Sequence, residues 1–163
     1  MQEIIVIAHN IRSTHNIGSI FRTCEGFGVK RLILSGYSPA PAFNDDPRLP
    51  HITRKLTSQI HKTALGAETI VPFEYSLEPP LDVLKQEGYR LVALEQSKDS
   101  ILLPAYDPPK KIALLLGEEV FGIESSLLQR CDDTVEIPMS GKKESFNVSV
   151  ATGIALYGLT SRS

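Results

Sequence analysis

Short apolar runs of the kind that form β-strands alternate with helical segments along the chain, and this alternation limits the possible folds more than any other feature. Strands are predicted at residues 3–8, 31–35, 69–73, 90–95, 111–117 and 134–138, and helices near 16–27, 53–65, 80–87, 124–130 and from about 146. The alternation predicts an α/β fold with a parallel sheet and helices on both faces. The runs IIVIA and IALLL are apolar throughout, as expected for strands covered on both sides.

The chain has the size of one domain, with 163 residues of which 42% are hydrophobic. It has no basic leader and no apolar run of membrane-spanning length, so we expect a cytoplasmic protein without a membrane segment. The two cysteines, Cys24 and Cys131, are not at metal-ligand spacing and no histidines are grouped with them. No metal site is therefore predicted.

The charge is unevenly distributed along the chain. Residues 1–67 contain eight Lys and Arg against four Asp and Glu, and no acidic residue occurs between Asp46 and Glu68. A basic half of this kind favours a surface that binds a polyanion such as a nucleic acid. An ordinary solvated helix face is the alternative.

Two helices carry further information. The spacing of Ile17, Ile20, Phe21, Cys24 and Phe27 predicts one buried stripe on the first helix. Arg22 lies off this stripe and is expected to face water or a partner. The last helix contains VSVATGIALYGL, which is apolar nearly all round, and this predicts a helix in the core, in a subunit interface, or in both.

Three polar loops follow predicted strands, at the edge where open parallel sheets bind ligands. The loop within residues 8–28 leads through Asn16 into the helix that presents Arg22, whose planar guanidinium suits phosphate or carboxylate. Helix capping by Ser13, Thr14 or Asn16 is the alternative role for the polar residues at its start.

The other two loops supply a carboxylate and an amide. In residues 114–128, Gly117 would allow the backbone to approach a ligand, and Glu119 could pair with an arginine, although a simple strand-to-helix turn is the alternative. In residues 136–151, a turn with two lysines precedes Ser145 and Asn147. Capping of the last helix by Ser145 is the alternative there, and it leaves Asn147 unexplained.

These three loops resemble the motifs of the SpoU/TrmH branch of the SPOUT class, which are S-adenosylmethionine-dependent RNA ribose methyltransferases. The matching segments are NIGSIFR at 16–22, LGEEVFGI at 116–123 and IPMSGKKESFNVSVA at 137–151. The resemblance extends over essentially the whole chain. It implies a single domain over residues 1–163 without an added RNA-binding domain, a C-terminal part threaded into a trefoil knot, and a homodimer formed across the last helix.

The resemblance also implies site residues. Those that would border S-adenosylmethionine are Leu94, Gly117, Ile137, Ser145 and Phe146. Phe146 departs from the family pattern, which usually has Leu there, and this affects the shape of the pocket. The catalytic set would be Asn16, Arg22, Glu119, Ser145 and Asn147, with Arg22 reaching a site shared with the other subunit.

The implied reaction is methyl transfer to a ribose 2′-hydroxyl of tRNA or rRNA. Because a guanidinium has a pKa above about 12, we assign Arg22 to binding the target phosphate and stabilising the developing alkoxide, not to general base catalysis. Asn16 and Glu119 would hold Arg22, and Ser145 with Asn147 would orient the ribose. The proton acceptor stays open between the substrate phosphate, a water and a desolvated Arg22.

RNA contacts are expected from the basic half and from the lysines beside the pocket. The residues are Arg12, Arg48, Arg54, Lys55, Lys62, Lys142 and Lys143. A catalytically silent RNA-binding module with the same fold is the alternative function. A dinucleotide-binding protein is disfavoured because no GxGxxG follows the first strand.

Overall fold

A computed structural model describes residues 1–161, which form one parallel sheet flanked by helices. The strands are β1 (Glu3–His9), β2 (Arg31–Ser35), β3 (Phe73–Ser76), β4 (Arg90–Leu94), β5 (Ile101–Leu102), β6 (Lys111–Leu116) and β7 (Asp133–Glu136). The helices are α1 (Thr14–Gly26), α2 (Pro50–Ala64), α3 (Leu81–Gln86), α4 (Ser125–Leu128) and α5 (Val148–Thr160), with 3₁₀ turns at Ala67–Thr69 and Leu103–Ala105. The sheet order is β3-β2-β1-β6-β4-β7-β5, and its strand pairs are parallel, which confirms the predicted α/β class.

The two faces of the sheet bury two separate apolar cores. On β1, Ile4 and Val6 point into the core beneath α1, α2 and α5, whereas Ile5 and Ile7 point into the core beneath α3 and α4. This alternation follows from the period of two along a strand. It explains why IIVIA is apolar throughout, and it confirms helices on both faces.

Helix α1 packs closely against α2. Its predicted stripe is confirmed, since Ile17, Ile20, Phe21 and Cys24 are buried, Phe27 is half-buried and Arg22 is exposed. The two helices come nearest at Gly18, where a Cβ would lie 2.3 Å from the carbonyl oxygen of Ile60 in α2. A side chain at residue 18 would therefore push the two helices apart.

The end of α2 displaces the third strand from its predicted place. Leu65 and Gly66 have left-handed backbone conformations, with φ of 51° and 99°, and they turn the chain into a 3₁₀ turn instead of a strand. The carboxylate of Glu68 fixes this turn by accepting the Gly66 N–H at 2.9 Å and by bonding His61. The strand predicted at 69–73 is therefore wrong, and β3 begins at Phe73, just after Pro72.

Helix α5 is buried along one side only. Val148, Thr152, Ala155, Leu156 and Leu159 face the core. Val150 and Tyr157, on the opposite side, are 50% and 65% exposed, and Ile154 between them is partly exposed. The helix thus contributes to the core as predicted and leaves an apolar stripe of Val150, Ile154 and Tyr157 at the surface.

No helix within residues 1–161 combines the length and the apolar character needed to cross a membrane. The same range contains no group of three or more His, Cys, Asp or Glu side chains arranged to hold a metal ion. Cys24 and Cys131 are both free thiols. Burial raises the pKa of the Cys24 thiol, and it raises that of Cys131 to about 11, so neither is a reactive thiolate at neutral pH.

Candidate active site

The three polar loops meet at the carboxyl edge of the sheet. Strand β1 pairs with β6, with Ala8 opposite Leu116, and β4 lies between β6 and β7. Because all these strands run in the same direction, the segments that follow β1, β6, β4 and β7 emerge side by side. This is the edge at which parallel α/β sheets bind their ligands.

Three predicted catalytic side chains form one hydrogen-bonded chain across these loops. Asn16 donates from Nδ2 to Oε1 of Glu119 at 3.0 Å. Asn147 donates from its own Nδ2 to Oδ1 of Asn16 at 3.2 Å. The Asn16 amide therefore uses both of its ends, and we call this group the Asn16–Glu119–Asn147 chain.

Two members of this chain, Asn16 and Asn147, are anchored at helix starts. Ser13 caps α1, because its Oγ accepts the Asn16 N–H at 3.2 Å. Asn147 caps α5, because its Oδ1 accepts the N–H of Ser149 at 2.9 Å and the N–H of Val150 at 3.4 Å. Capping of α5 by Ser145 is therefore wrong as an alternative, and capping of α1 by Ser13 is correct. A single amide at residue 147 starts the helix and also joins the polar chain.

A cavity of about 430 Å³ opens beside the Asn16–Glu119–Asn147 chain. It is walled by the ends of β4, β6 and β7 and by the start of α5. All five residues expected to border a cofactor line it: Leu94, Gly117, Ile137, Ser145 and Phe146. Ser145 and Phe146 are exposed, and Glu119 lines the same cavity. The cavity, which is large enough for a cofactor, therefore adjoins the Asn16–Glu119–Asn147 chain at Glu119.

Carboxylates surround this cavity, which sequence reasoning missed. The lining includes Glu95, Glu118, Glu119, Glu136 and Glu144, supplied by four separate segments of the chain. No local pattern could have grouped them, because only the sheet order brings β4, β6 and β7 together. Their combined field favours a ligand that carries positive charge.

Two of these carboxylates also build the turn that follows β6. Glu95 accepts the Ile123 N–H at 3.0 Å, and Glu118 accepts the N–H groups of Val120 at 3.1 Å and Phe121 at 2.5 Å. The turn is therefore held by half-buried acceptors at both of its ends. It positions Glu119 at the mouth of the cavity.

Gly117 is required by this turn itself. A Cβ at residue 117 would lie 2.5 Å from Cγ1 of Ile123 and 2.6 Å from the carbonyl carbon of Gly122. The expected reason for this glycine, close approach of a ligand to the backbone, is therefore not the primary one. The backbone of the same turn fills the space.

Arg22 stands apart from the polar chain within one subunit. It lies six residues beyond Asn16 on α1, which places it about 9 Å along the helix axis and on a different side. It is exposed, and within residues 1–161 it has no hydrogen bond or ion pair. The expectation that Asn16 and Glu119 hold Arg22 does not hold inside a single chain.

The expected RNA-binding residues divide into two groups. The first is exposed and consists of Arg12, Arg54, Lys55, Lys62, Lys142 and Lys143. Arg54, Lys55 and Lys62 lie on α2, whose end is tied to the start of α1 by a 2.8 Å hydrogen bond from Thr63 to the His15 carbonyl. The C-terminal end of α2, which carries Lys62, therefore lies next to the start of α1, which carries Asn16.

Arg48 forms the second group, because its side chain is half-buried and bonded to other residues of the protein. Its guanidinium donates to both carboxylate oxygens of Asp46, at 2.9 and 2.6 Å, and to the carbonyls of Ala40 and Pro41. It also lies 5.3 Å from the ring centroid of Phe43. Arg48 thus closes the proline-rich loop 38–50 on itself, and its donors are occupied by protein acceptors.

Comparisons with known proteins show the family of this chain. The sequence profile of the SpoU rRNA Methylase family matches residues 3–157. The tRNA (guanosine(18)-2'-O)-methyltransferase of Aquifex aeolicus is 31% identical over 156 residues, which cover 96% of this chain and 68% of that protein.

Solved structures share the fold. The TrmH/SpoU tRNA modifying enzyme of A. aeolicus superimposes with a TM-score of 0.78 at 29% identity, over 99% of this chain and 76% of that one. An AdoMet-bound rRNA methyltransferase from Sinorhizobium meliloti also gives a TM-score of 0.78, at 23% identity, and this chain spans 56% of its length.

A parallel α/β sheet with a cofactor-sized cavity and a polar chain at its carboxyl edge is typical of ligand-binding proteins of the α/β class. The profile match over nearly the whole chain makes the assignment specific. The chain belongs to the SpoU rRNA methylase family.

Proposed function

We propose that the protein transfers a methyl group from S-adenosylmethionine to a ribose 2′-hydroxyl of tRNA or rRNA. The observation that carries this proposal is the Asn16–Glu119–Asn147 chain at the mouth of the cavity. The hydrogen-bonded residues all lie in the three segments that resemble the family motifs, and the second and third of these segments supply most of the cavity lining. The names of the relatives, which are methyltransferases acting on tRNA or rRNA, support the same reaction.

The cavity fits S-adenosylmethionine in size and in charge. Its volume of about 430 Å³ lies in the ordinary range for small-molecule sites. Leu94, Ile137 and Phe146 supply apolar contact for an adenine ring, and the surrounding carboxylates suit a ligand with sulfonium and ammonium groups. When bound, this cofactor supplies an electrophilic methyl group on a positively charged sulfur.

The side chains of the protein contribute to the proposed reaction mainly by positioning the ribose. Glu119 and Asn147 fix the Asn16 amide from both ends, so the three groups present a rigid polar surface to a ribose. Holding a hydroxyl in line with a methyl group lowers the activation barrier of methyl transfer. The entropy cost of aligning the two groups is met when the substrates bind, so the chemical step no longer carries it. Ser145, exposed at the cavity, is assigned to orienting the ribose.

A second copy of this chain is the proposed partner of α5. The apolar stripe of Val150, Ile154 and Tyr157 is exposed on one chain and is of the kind that homodimers bury. Helix α1 borders this stripe, since a Cβ at Gly153 would lie 3.7 Å from Cγ2 of Thr23. We therefore propose that Arg22, the neighbour of Thr23, enters the partner's site and binds the target phosphate there.

RNA is proposed to approach over α2. Arg54, Lys55 and Lys62 are exposed on it, and Lys142 and Lys143 are exposed beside the cavity. Contacts to phosphates dominate such binding, so affinity should fall steeply as the salt concentration rises.

We also propose that the protein acts in the cytoplasm, and that it is one domain whose knotted C-terminal part forms the cofactor pocket.

Titration calorimetry and a transfer assay test the proposal together. We expect S-adenosylmethionine to bind the protein and labelled methyl groups to appear in total tRNA or rRNA. Asn16→Ala should keep cofactor binding and lose transfer, while Asn44→Ala, in the exposed loop 38–50, should retain both. If the cofactor does not bind, or if RNA binds without methyl transfer, the alternative of a silent RNA-binding module replaces the enzyme.

Mixed dimers test the shared site. Arg22→Ala and Asn16→Ala chains carrying different tags would be co-expressed and the heterodimer purified. If Arg22 serves the partner's site, one site of the heterodimer is intact and about half of the activity returns. If Arg22 serves its own chain, both sites are damaged and the heterodimer stays inactive.

A further inference from the structure

A cation and an exposed aromatic ring lie together at the carboxyl edge, next to the catalytic loops. The guanidinium carbon of Arg12 lies 5.6 Å from the ring centroid of Tyr37. Arg12 is exposed and Tyr37 is 51% exposed. The Tyr37 ring therefore presents an open aromatic surface beside a cation.

The backbone beneath Tyr37 is held in a defined conformation. Asn10, after β1, and Gly36, after β2, both have left-handed conformations, with φ of 55° and 64°. Oδ1 of Asn10 accepts the Tyr37 N–H at 3.0 Å, and a Cβ at Gly36 would lie only 1.8 Å from that same oxygen. The two left-handed residues and this hydrogen bond therefore fix the backbone position of Tyr37.

Further hydrogen bonds tie the same turn, which follows β2, to the ends of β1 and β3. Gly36 accepts the Tyr75 hydroxyl at 2.7 Å, and its N–H donates to the Leu77 carbonyl at 3.0 Å. Ser38 donates to the Ala8 carbonyl at 2.8 Å and accepts the Ile11 N–H at 2.8 Å. The turn is thus rigid while the Tyr37 ring stays half exposed.

The position of this turn relates it to the catalytic loops. Strand β1 lies between β2 and β6, with His9 opposite Ser35 and Ala8 opposite Leu116. The turns that carry Tyr37 and Glu119 are therefore about two strand spacings apart, or about 10 Å. A dinucleotide can span that distance along the same edge.

We propose that Tyr37 and Arg12 form a stacking subsite for an unpaired base adjacent to the nucleotide that is methylated. Single-stranded RNA is recognised by stacking of its splayed bases on aromatic rings and guanidinium planes. Tyr37 supplies the ring, and Arg12 supplies a cation for the ring and for a neighbouring phosphate. This subsite rests on the proposed function, and it selects RNA that is unpaired beside its target.

Tryptophan fluorescence tests the subsite without any requirement for catalysis. The sequence contains no Trp, so Tyr37→Trp introduces a single reporter. A single-stranded RNA of twelve mixed nucleotides should quench it, and the same sequence as a perfect duplex should quench it much less. The control is Ile70→Trp, because Ile70 is 65% exposed and lies at the opposite, amino edge of β3. Equal quenching of the two reporters would overturn the subsite.

Steady-state kinetics give the second test. Tyr37→Ala should raise the KM for the RNA about tenfold or more, with kcat little changed, and Tyr37→Phe should retain the wild-type KM. If methyl transfer occurs and Tyr37→Ala leaves KM unchanged, the subsite is wrong and the enzyme stands. If single-stranded RNA quenches the Tyr37→Trp variant and no RNA accepts a methyl group, Tyr37 stacks on RNA bases, but the proposed reaction is wrong and the subsite does not lie beside a methylated nucleotide.

Discussion

Asn16 and Glu119 are 103 residues apart in the chain, and a 3.0 Å hydrogen bond joins their side chains. The direction of this bond fixes the Asn16 amide. If the amide turned over, its oxygen would face the Glu119 carboxylate and its nitrogen would face the Nδ2 donor of Asn147. Both contacts would then be repulsive, so one orientation is strongly preferred.

Asn16→Asp tests this orientation. The new carboxylate would face that of Glu119, and like charges at hydrogen-bond distance repel. We expect the rate of methyl transfer to fall by about 100-fold, since displacement of a positioning group by an ångström has effects of that size. Calorimetric affinity for S-adenosylmethionine should stay near the wild-type value. Unchanged transfer would show that the Asn16–Glu119–Asn147 chain has no part in the reaction.

Asn147 has two roles that two substitutions separate. Asn147→Ala removes the helix cap, and urea unfolding should show a loss of about 1 kcal/mol. Asn147→Asp retains an oxygen for the N–H groups of α5 and should keep the stability. It replaces the donor that reaches Asn16 by an acceptor, so transfer should fall although the fold is intact. Equal activity of the wild type and Asn147→Asp would contradict the second role.

Gly117→Ala should deform the turn after β6. The added methyl group would lie 2.5–2.6 Å from Ile123 and from the Gly122 backbone, which cannot give way without moving the turn. We expect calorimetry to detect a large loss of cofactor affinity. Gly141→Ala is the matched control, because a Cβ at residue 141 has no atom within 4 Å. The prediction fails if both variants bind the cofactor alike.

Arg48→Ala should open the proline-rich loop. Arg48 bonds the Asp46 carboxylate and lowers the pKa of that group to about 2, which shows how strongly the pair favours the charged state. Without it, chymotrypsin should cut near Phe43 about fivefold faster. Arg54→Ala, exposed on α2, should leave the cleavage rate unchanged. RNA binding should fall for Arg54→Ala, and a matching fall for Arg48→Ala without faster cleavage would restore a direct role for Arg48.

His9 should make stability depend on pH. It is buried against Ser35, with Nδ1 2.9 Å from Oγ, and burial lowers its pKa below the ordinary 6.5 although the carboxylates of Glu124 and Glu78 act in the opposite direction. Between the two pKa values the unfolded chain binds a proton and the folded chain does not. The free energy of unfolding should therefore decrease as pH falls below about 6.5, by at most about 1.4 kcal/mol per pH unit.

Urea unfolding of the wild type and of His9→Gln at pH 7.5, 6.5 and 5.5 checks this dependence. The exposed histidines are common to both proteins, so the difference between the two slopes reports His9 alone. The variant should have the flatter profile. Parallel profiles would show that His9 does not contribute.

The central strands could be predicted from sequence because burial on both faces makes them continuously apolar. The edges of the sheet could not. Strand β3 is partly exposed, and β5 has only two residues, both exposed, so neither has a clear apolar pattern. Their places are set by the left-handed turn at Leu65 and by pairing with β7.

For the candidate site, the polar loops after the strands drew attention to Asn16, Glu119 and Asn147, the family resemblance implied that they act together, and the structure joins them by hydrogen bonds. The carboxylates around the cavity could not be grouped, since Glu95 and Glu144 come from distant segments. Arg48 was assigned to RNA from its charge alone. Its carbonyl partners, Ala40 and Pro41, have no signature in a sequence.

Strand β1 lies in the interior of the sheet, between β2 and β6, yet β6 follows it by roughly 100 residues. A ribosome adds about 5–20 residues per second, so one edge of this apolar strand waits about 5–20 s for its partner. During that interval the open edge can pair with any other nascent strand. Slow translation between residues 36 and 111 would therefore lower the yield of folded protein, and a chaperone that binds extended apolar segments would raise it.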